Sequence, residues 1–136
     1  MEEELIMVRD TGHRENAPED EYVYIDWGPA FSAQHGAHWA SLDQVGTYFG
    51  FGPLGLAYLL RTGGAGYFRR GMVTPFIAEG RLESVENAAS FAYPAYAVYP
   101  EAAKQREEIR TALGILRAAL TSSLPSSGAS RPGSAA

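Results

Sequence analysis

The sequence predicts an α/β fold with a mainly parallel sheet flanked by helices. Three observations lead there. Through residues 22–68, apolar runs and helically spaced segments follow one another as strand, helix, strand, helix, strand. Glycine and proline punctuate the switches, at Gly28-Pro29, Gly52-Pro53 and Gly63-Gly64. The chain has 136 residues, 46% of them hydrophobic and 20% charged, which suits one modest domain with one core.

Leu5-Ile6-Met7-Val8 is a short apolar run and reads as a strand. Residues 9–20 are polar, carry Gly12 and Pro18, and read as a loop. Tyr22-Val23-Tyr24-Ile25 is aromatic and β-branched, the composition of a buried strand. Pro29 suits the first turn of a helix, where its missing N–H costs nothing, and that helix should end near Gly36. Val45–Phe51 reads as the next strand, and Pro53–Arg61 as a helix with Leu56, Leu59 and Leu60 at helical spacing. Gly63-Gly64 closes that helix, and Gly66-Tyr67-Phe68 is a third short strand. The expected sheet thus contains residues 22–26, 46–51 and 66–68. A brief helix over 74–79 should stop at Gly80, with strands at Leu82–Val85 and Phe91–Tyr99. Residues 101–120 carry Ile109, Ala112, Leu113, Leu116 and Leu120 on one stripe, the pattern of an amphipathic helix. From Thr121 the chain is rich in Ser, Gly, Ala and Pro and is expected to be a disordered tail over 121–136.

Composition narrows the function. The net charge is −5, and no basic patch is visible, so direct binding of nucleic acid by this chain is not expected. With no cysteine, disulfides and thiolate metal sites are excluded. No apolar run approaches a membrane span, and Met1-Glu2-Glu3-Glu4 is acidic where a signal peptide is basic, so the expected location is cytoplasmic, with no membrane partner.

Gly50-Phe51-Gly52-Pro53-Leu54-Gly55 is formally a GxGxxG turn between a strand and a helix, as dinucleotide binding requires. It comes late for a first strand–helix unit. No acidic residue closes the following strand either, since Arg69 and Arg70 stand there. A structural turn is the better reading, and no cofactor is expected. His35 and His38 lie near Asp43, but a zinc site needs three or four ligands, and Gly36 interrupts the helix between the histidines. No GxSxG and no cysteine support nucleophilic catalysis. No catalytic and no metal-binding residue is therefore assigned.

Two turns survive: Asp26-Trp27-Gly28-Pro29-Ala30-Phe31 and Gly50–Leu54. In a parallel sheet both lie at the carboxyl edge, where ligands bind. Unpaired N–H groups and the helix dipole favour an anion there. The candidate ligand-binding residues are Asp26, Trp27, Gly28, Phe31, Gly50, Phe51 and Gly52, joined by Gly66, Tyr67 and Phe68 from the third strand.

In order, Val23–Phe31, Gly52–Leu56, Gly63–Phe68, Ile77–Leu82 and Phe91–Pro100 resemble the second half of the effector-binding (LysR substrate-binding) domain of LysR-type transcriptional regulators. Arg69 departs from the pattern, because the family usually has proline after the aromatic pair. The resemblance implies a periplasmic-binding-protein-like (type II) subdomain, partial over residues 1–120, with the return toward the first subdomain. It also implies no DNA-binding domain in this chain, a small-molecule effector in an inter-subdomain cleft, and a homo-oligomeric full-length regulator. A small carboxylate with an apolar body suits the expected wall. Two other readings stand beside this non-enzymatic one: a small nucleotide-dependent enzyme built on the Gly50–Gly55 turn, and a stand-alone interaction domain that pairs with regulator subunits.

Overall fold

The computed structural model describes residues 2–42 and 46–122. The chain divides into two compact units, Met1–Ala95 and Tyr96–Ala136.

The first unit is an α/β sandwich. Its strands are β1 (Glu2–Asp10), β2 (Val23–Ile25), β3 (Thr47–Phe49), β4 (Ala65–Arg69), β5 (Leu82–Ser84) and β6 (Phe91–Pro94). Its helices are α1 (Pro29–His38), α2 (Gly52–Thr62) and α3 (Arg70–Ala78). β1 pairs with β4 on one side and with β6 and then β5 on the other, every pair antiparallel. β2 and β3 pair in parallel, Val23 opposite Thr47 and Ile25 opposite Phe49. A parallel bridge from Tyr22 to Ala65, with the Ala65 N–H donating to the Glu21 carbonyl, joins β2 to β4.

These pairings correct the expectation of a mainly parallel sheet. The strand–helix–strand alternation of residues 22–68 does produce parallel neighbours in β2, β3 and the Tyr22–Ala65 bridge. β1 runs the other way through the middle and carries most of the ladder. Nothing in its own residues states its direction, because a strand buried on both faces reads as an apolar run whichever way it points.

Period-two alternation then sorts the core. Ile6, Val8, Val23, Ile25 and Phe68 face one side of the sheet, where Leu56 and Leu59 of α2 and Val73 of α3 cover them. Leu5, Met7 and Tyr67 face the other, with Phe31 of α1, Leu42 and Phe91. α3 begins at Arg70, four residues before the expected start, and Pro75 lies inside it. Arg69 adopts an extended conformation at the N-cap of α3, and its guanidinium is held by the Glu3 carboxylate across β1. That contact gives Arg69 a structural role.

In the second unit the expected 101–120 helix separates into a 3-10 turn at Glu101–Ala103 and helix α4 (Glu107–Ser122). Glu107 and Glu108 sit in the first turn of α4, where carboxylates complement the helix dipole. The strand expected over 91–99 ends at Pro94. α4 runs two residues into the segment expected to be a tail, and residues 123–136 lie outside those described. No helix among the described residues is long and apolar enough to cross a membrane.

Candidate ligand-binding surface

The carboxyl ends of β2 and β3 each turn sharply into a helix, and the two turns lie side by side. At the first, the Asp26 carboxylate accepts from the Gly28 N–H at 2.8 Å and from the Tyr48 hydroxyl at 2.9 Å. The Asp26 N–H donates to the Phe49 carbonyl at 2.9 Å, which extends the β2–β3 ladder to the rim. The Gly28 N–H, and after it the Tyr48 hydroxyl, hold the Asp26 carboxyl below its ordinary range. Tyr48 is pushed up in return, chiefly by that same hydrogen bond.

Trp27 locks the turns together. Its indole N–H donates to the Tyr67 carbonyl of β4 at 2.9 Å, and its ring meets Tyr93 edge-on. The opposite end of the indole covers Gly52: a Cβ there would stand 2.3 Å from Trp27 Cη2. In the same helix, a Cβ at Gly55 would stand 2.2 Å from Ile25 Cδ1. Two of the three glycines of the formal GxGxxG are therefore packing glycines, and the space beside Gly52 that a pyrophosphate would use is filled by tryptophan. Gly52→Leu is accordingly expected to displace the indole and shift the tryptophan emission maximum toward the red, measured by fluorescence. An unchanged spectrum in a folded variant would count against this contact.

Helices α1 and α2 both start at this rim, with proline in the first turn of each. Neither N-cap, Gly28 or Phe51, supplies a capping side-chain acceptor, so the leading N–H groups face the turn without intrahelical acceptors. Around them Tyr48, Phe51 and Leu54 are exposed at 61%, 64% and 57%. Of the residues singled out in the sequence, Asp26, Gly50 and Phe51 lie at the surface of the two turns, and Trp27 and Gly28 are half-buried. Gly52 and Gly66 are buried, and the side chains of Phe31, Tyr67 and Phe68 belong to the core. From the third segment, the Tyr67 carbonyl comes to the turns through a hydrogen bond from Trp27. Sequence reasoning passed over Tyr48 and Tyr93, and took Leu54 only as the end of the Gly50–Leu54 turn. An aromatic residue at an outward position of a short strand was the available signal for Tyr48.

Helix α1 runs through Gly36 to His38, which corrects the expected stop near Gly36, and the two histidines nevertheless meet different surroundings. His35 is buried among Tyr22, Tyr24, Phe31 and Tyr67, with Nε2 2.8 Å from the Tyr22 hydroxyl. Burial pushes the Tyr22 phenol up. His38 is exposed, and its Nδ1 meets the Gln34 carbonyl at 2.9 Å. Asp43 lies outside the described residues.

No protein-family model and no curated protein matches the chain. A solved structure does: the regulatory domain of HypT from Salmonella typhimurium, bromide ion-bound, with 16% identity and a TM-score of 0.59. The chain shares the fold of that domain, which belongs to a LysR-type regulator. The match takes in 88% of this chain and 63% of the HypT domain, so the chain spans somewhat under two thirds of that domain's length.

Proposed function

We propose that this chain is the effector-sensing part of a LysR-type transcriptional regulator, and that its ligand wall is the pair of turns Asp26–Pro29 and Gly50–Pro53. One observation carries the reading: two helix N-termini open side by side at the carboxyl rim of a sheet whose fold is that of a regulatory domain. Such a rim supplies N–H donors and a positive dipole to an anion, and Tyr48, Phe51 and Leu54 supply apolar contact for its body. The bromide in the HypT domain supports an anionic ligand. In this reading the chain is a type II periplasmic-binding-protein-like subdomain, and the remaining length of a regulatory domain would supply the opposite wall. A one-sided cleft buries little of a ligand, so affinity in isolation is weak.

The test is an amide NMR titration of the isotope-labelled chain with benzoate and, separately, bromide. Shifts concentrated at Ala30, Phe31, Gly52 and Leu54 are expected, with benzoate also moving Phe51. Phe51→Ala, an exposed substitution, should weaken benzoate about tenfold or less while leaving bromide unchanged, since an exposed aromatic contributes at most about 1.4 kcal/mol. Shifts scattered over the surface, or none at the two turns at high ligand concentration, would refute the ligand wall.

A further inference from the structure

A second cluster of ligating side chains lies away from the effector surface, at the opposite edge of the sheet. Asp10 ends β1, His13 ends the 3-10 turn Thr11–His13, and Glu21 precedes β2. One ligand atom from each falls within 4.8 Å of the other two. Asp10 Oδ2 and His13 Nδ1 are 2.7 Å apart, a hydrogen-bond distance that opens to about 3.3 Å when two ligands share a tetrahedral zinc.

We propose that Asp10, His13 and Glu21 bind a divalent transition-metal cation of the Zn2+ type, which ties the 11–21 loop to the sheet.

Three features favour a metal over a chance meeting of surface groups. First, the donor set is mixed. One imidazole nitrogen with two carboxylates suits zinc and its first-row neighbours, whereas magnesium and calcium take oxygen ligands. The sequence has three histidines and no cysteine. Of the histidines, His35 is engaged in the core and His38 lies on the last turn of α1. Second, among the described residues no arginine pairs with Asp10 or Glu21; Asp10 meets His13, and Glu21 accepts from the Asn16 amide at 3.3 Å. The nearby Arg9 and Arg14 both turn to Glu83, at 2.8 and 2.9 Å. Third, Asp10 is pre-oriented from behind. Its Oδ1 accepts from the Gly64 N–H at 2.8 Å and its Oδ2 from the Gly12 N–H at 3.1 Å, the outer-shell support that metal carboxylates commonly have. Burial works to raise the Asp10 carboxyl, but these N–H groups and His13 together hold it below its ordinary range.

The full chain, stripped with chelator and dialysed at pH 7.5, is titrated with Zn2+ by calorimetry and with Co2+ by visible absorption. One equivalent is expected to bind and to raise the melting temperature, with no comparable effect from Mg2+. His13→Gln and Glu21→Gln, both at exposed positions, are each expected to weaken binding about tenfold or more. His38→Gln should leave it unchanged. Absence of binding, or binding that survives both His13→Gln and Glu21→Gln, overturns the proposal. Asp10→Asn checks the third ligand, with circular dichroism to confirm folding. A folded Asp10→Asn variant with parental affinity removes Asp10 from the site.

Discussion

Truncating Tyr67 to alanine is expected to destabilise the chain by about 3–5 kcal/mol and to lower its melting temperature by roughly ten degrees or more. Tyr67 has no exposed surface, and its ring packs against Phe31, His35 and Phe91. Its hydroxyl donates to the Ala89 carbonyl at 2.7 Å and accepts from the Trp39 indole N–H at 2.8 Å. Alanine opens a cavity among aromatic rings and strips two hydrogen bonds at once. Tyr67→Phe keeps the ring and loses only the hydroxyl, so about 1–3 kcal/mol is expected for the unpaired groups left behind. Thermal unfolding of both variants, followed by circular dichroism, checks the pair. A Tyr67→Ala protein that melts within a few degrees of the parent would place this ring outside the core and return it to the candidates for ligand contact.

Valine at position 64 is expected to cost about 3 kcal/mol or more, from backbone strain together with overpacking. Gly64 is buried with φ +119°, a conformation that side-chain-bearing residues rarely adopt. A Cβ there would stand 2.6 Å from the Glu21 carbonyl oxygen, the acceptor of the Ala65 N–H. Two residues on, a Cβ at Gly66 would stand 2.8 Å from the Val23 carbonyl oxygen. Both glycines let β2 approach β4 where the two sheets join, and Gly66→Ala should destabilise for the same reason. Gly50→Ala is the control, since nothing lies within 4 Å of a Cβ there. Chemical denaturation of the three variants tests this. If Gly64→Val unfolds at the parental denaturant concentration, the junction of the sheets is looser than described.

Much of the candidate surface was legible because turn chemistry is local. Gly28-Pro29 and Gly52-Pro53 mark strand-to-helix turns by the conformations those residues allow, and both turns stand at the expected rim. Phe31, Tyr67 and Phe68 were harder to place. An aromatic beside a turn looks the same in a string of letters whether its ring points to the rim or to the core. The answer depends on the helix face and the strand register, which neighbours set. Tyr67 and Phe68 show this directly, since adjacent positions on one strand bury their rings in opposite clusters. The Asp10–His13–Glu21 cluster had no sequence signature. Asp10 and Glu21 meet only because a loop brings the end of β1 back beside the start of β2.

The sequence by itself determined the α/β class, the order of strands and helices from residue 22 to residue 68, and the two glycine–proline turns. Those features rest on side-chain periodicity and backbone sterics, which act within a few residues. Only the tertiary structure decided that β1 runs antiparallel through the middle of the sheet, since strand direction is set by hydrogen-bonding partners distant in the chain. It likewise decided that Trp27 fills the space over Gly52, which turns a formal nucleotide-binding motif into a packing contact. The van der Waals room beside a glycine is a property of what packs against it, and the glycine's own neighbours in sequence do not carry that information.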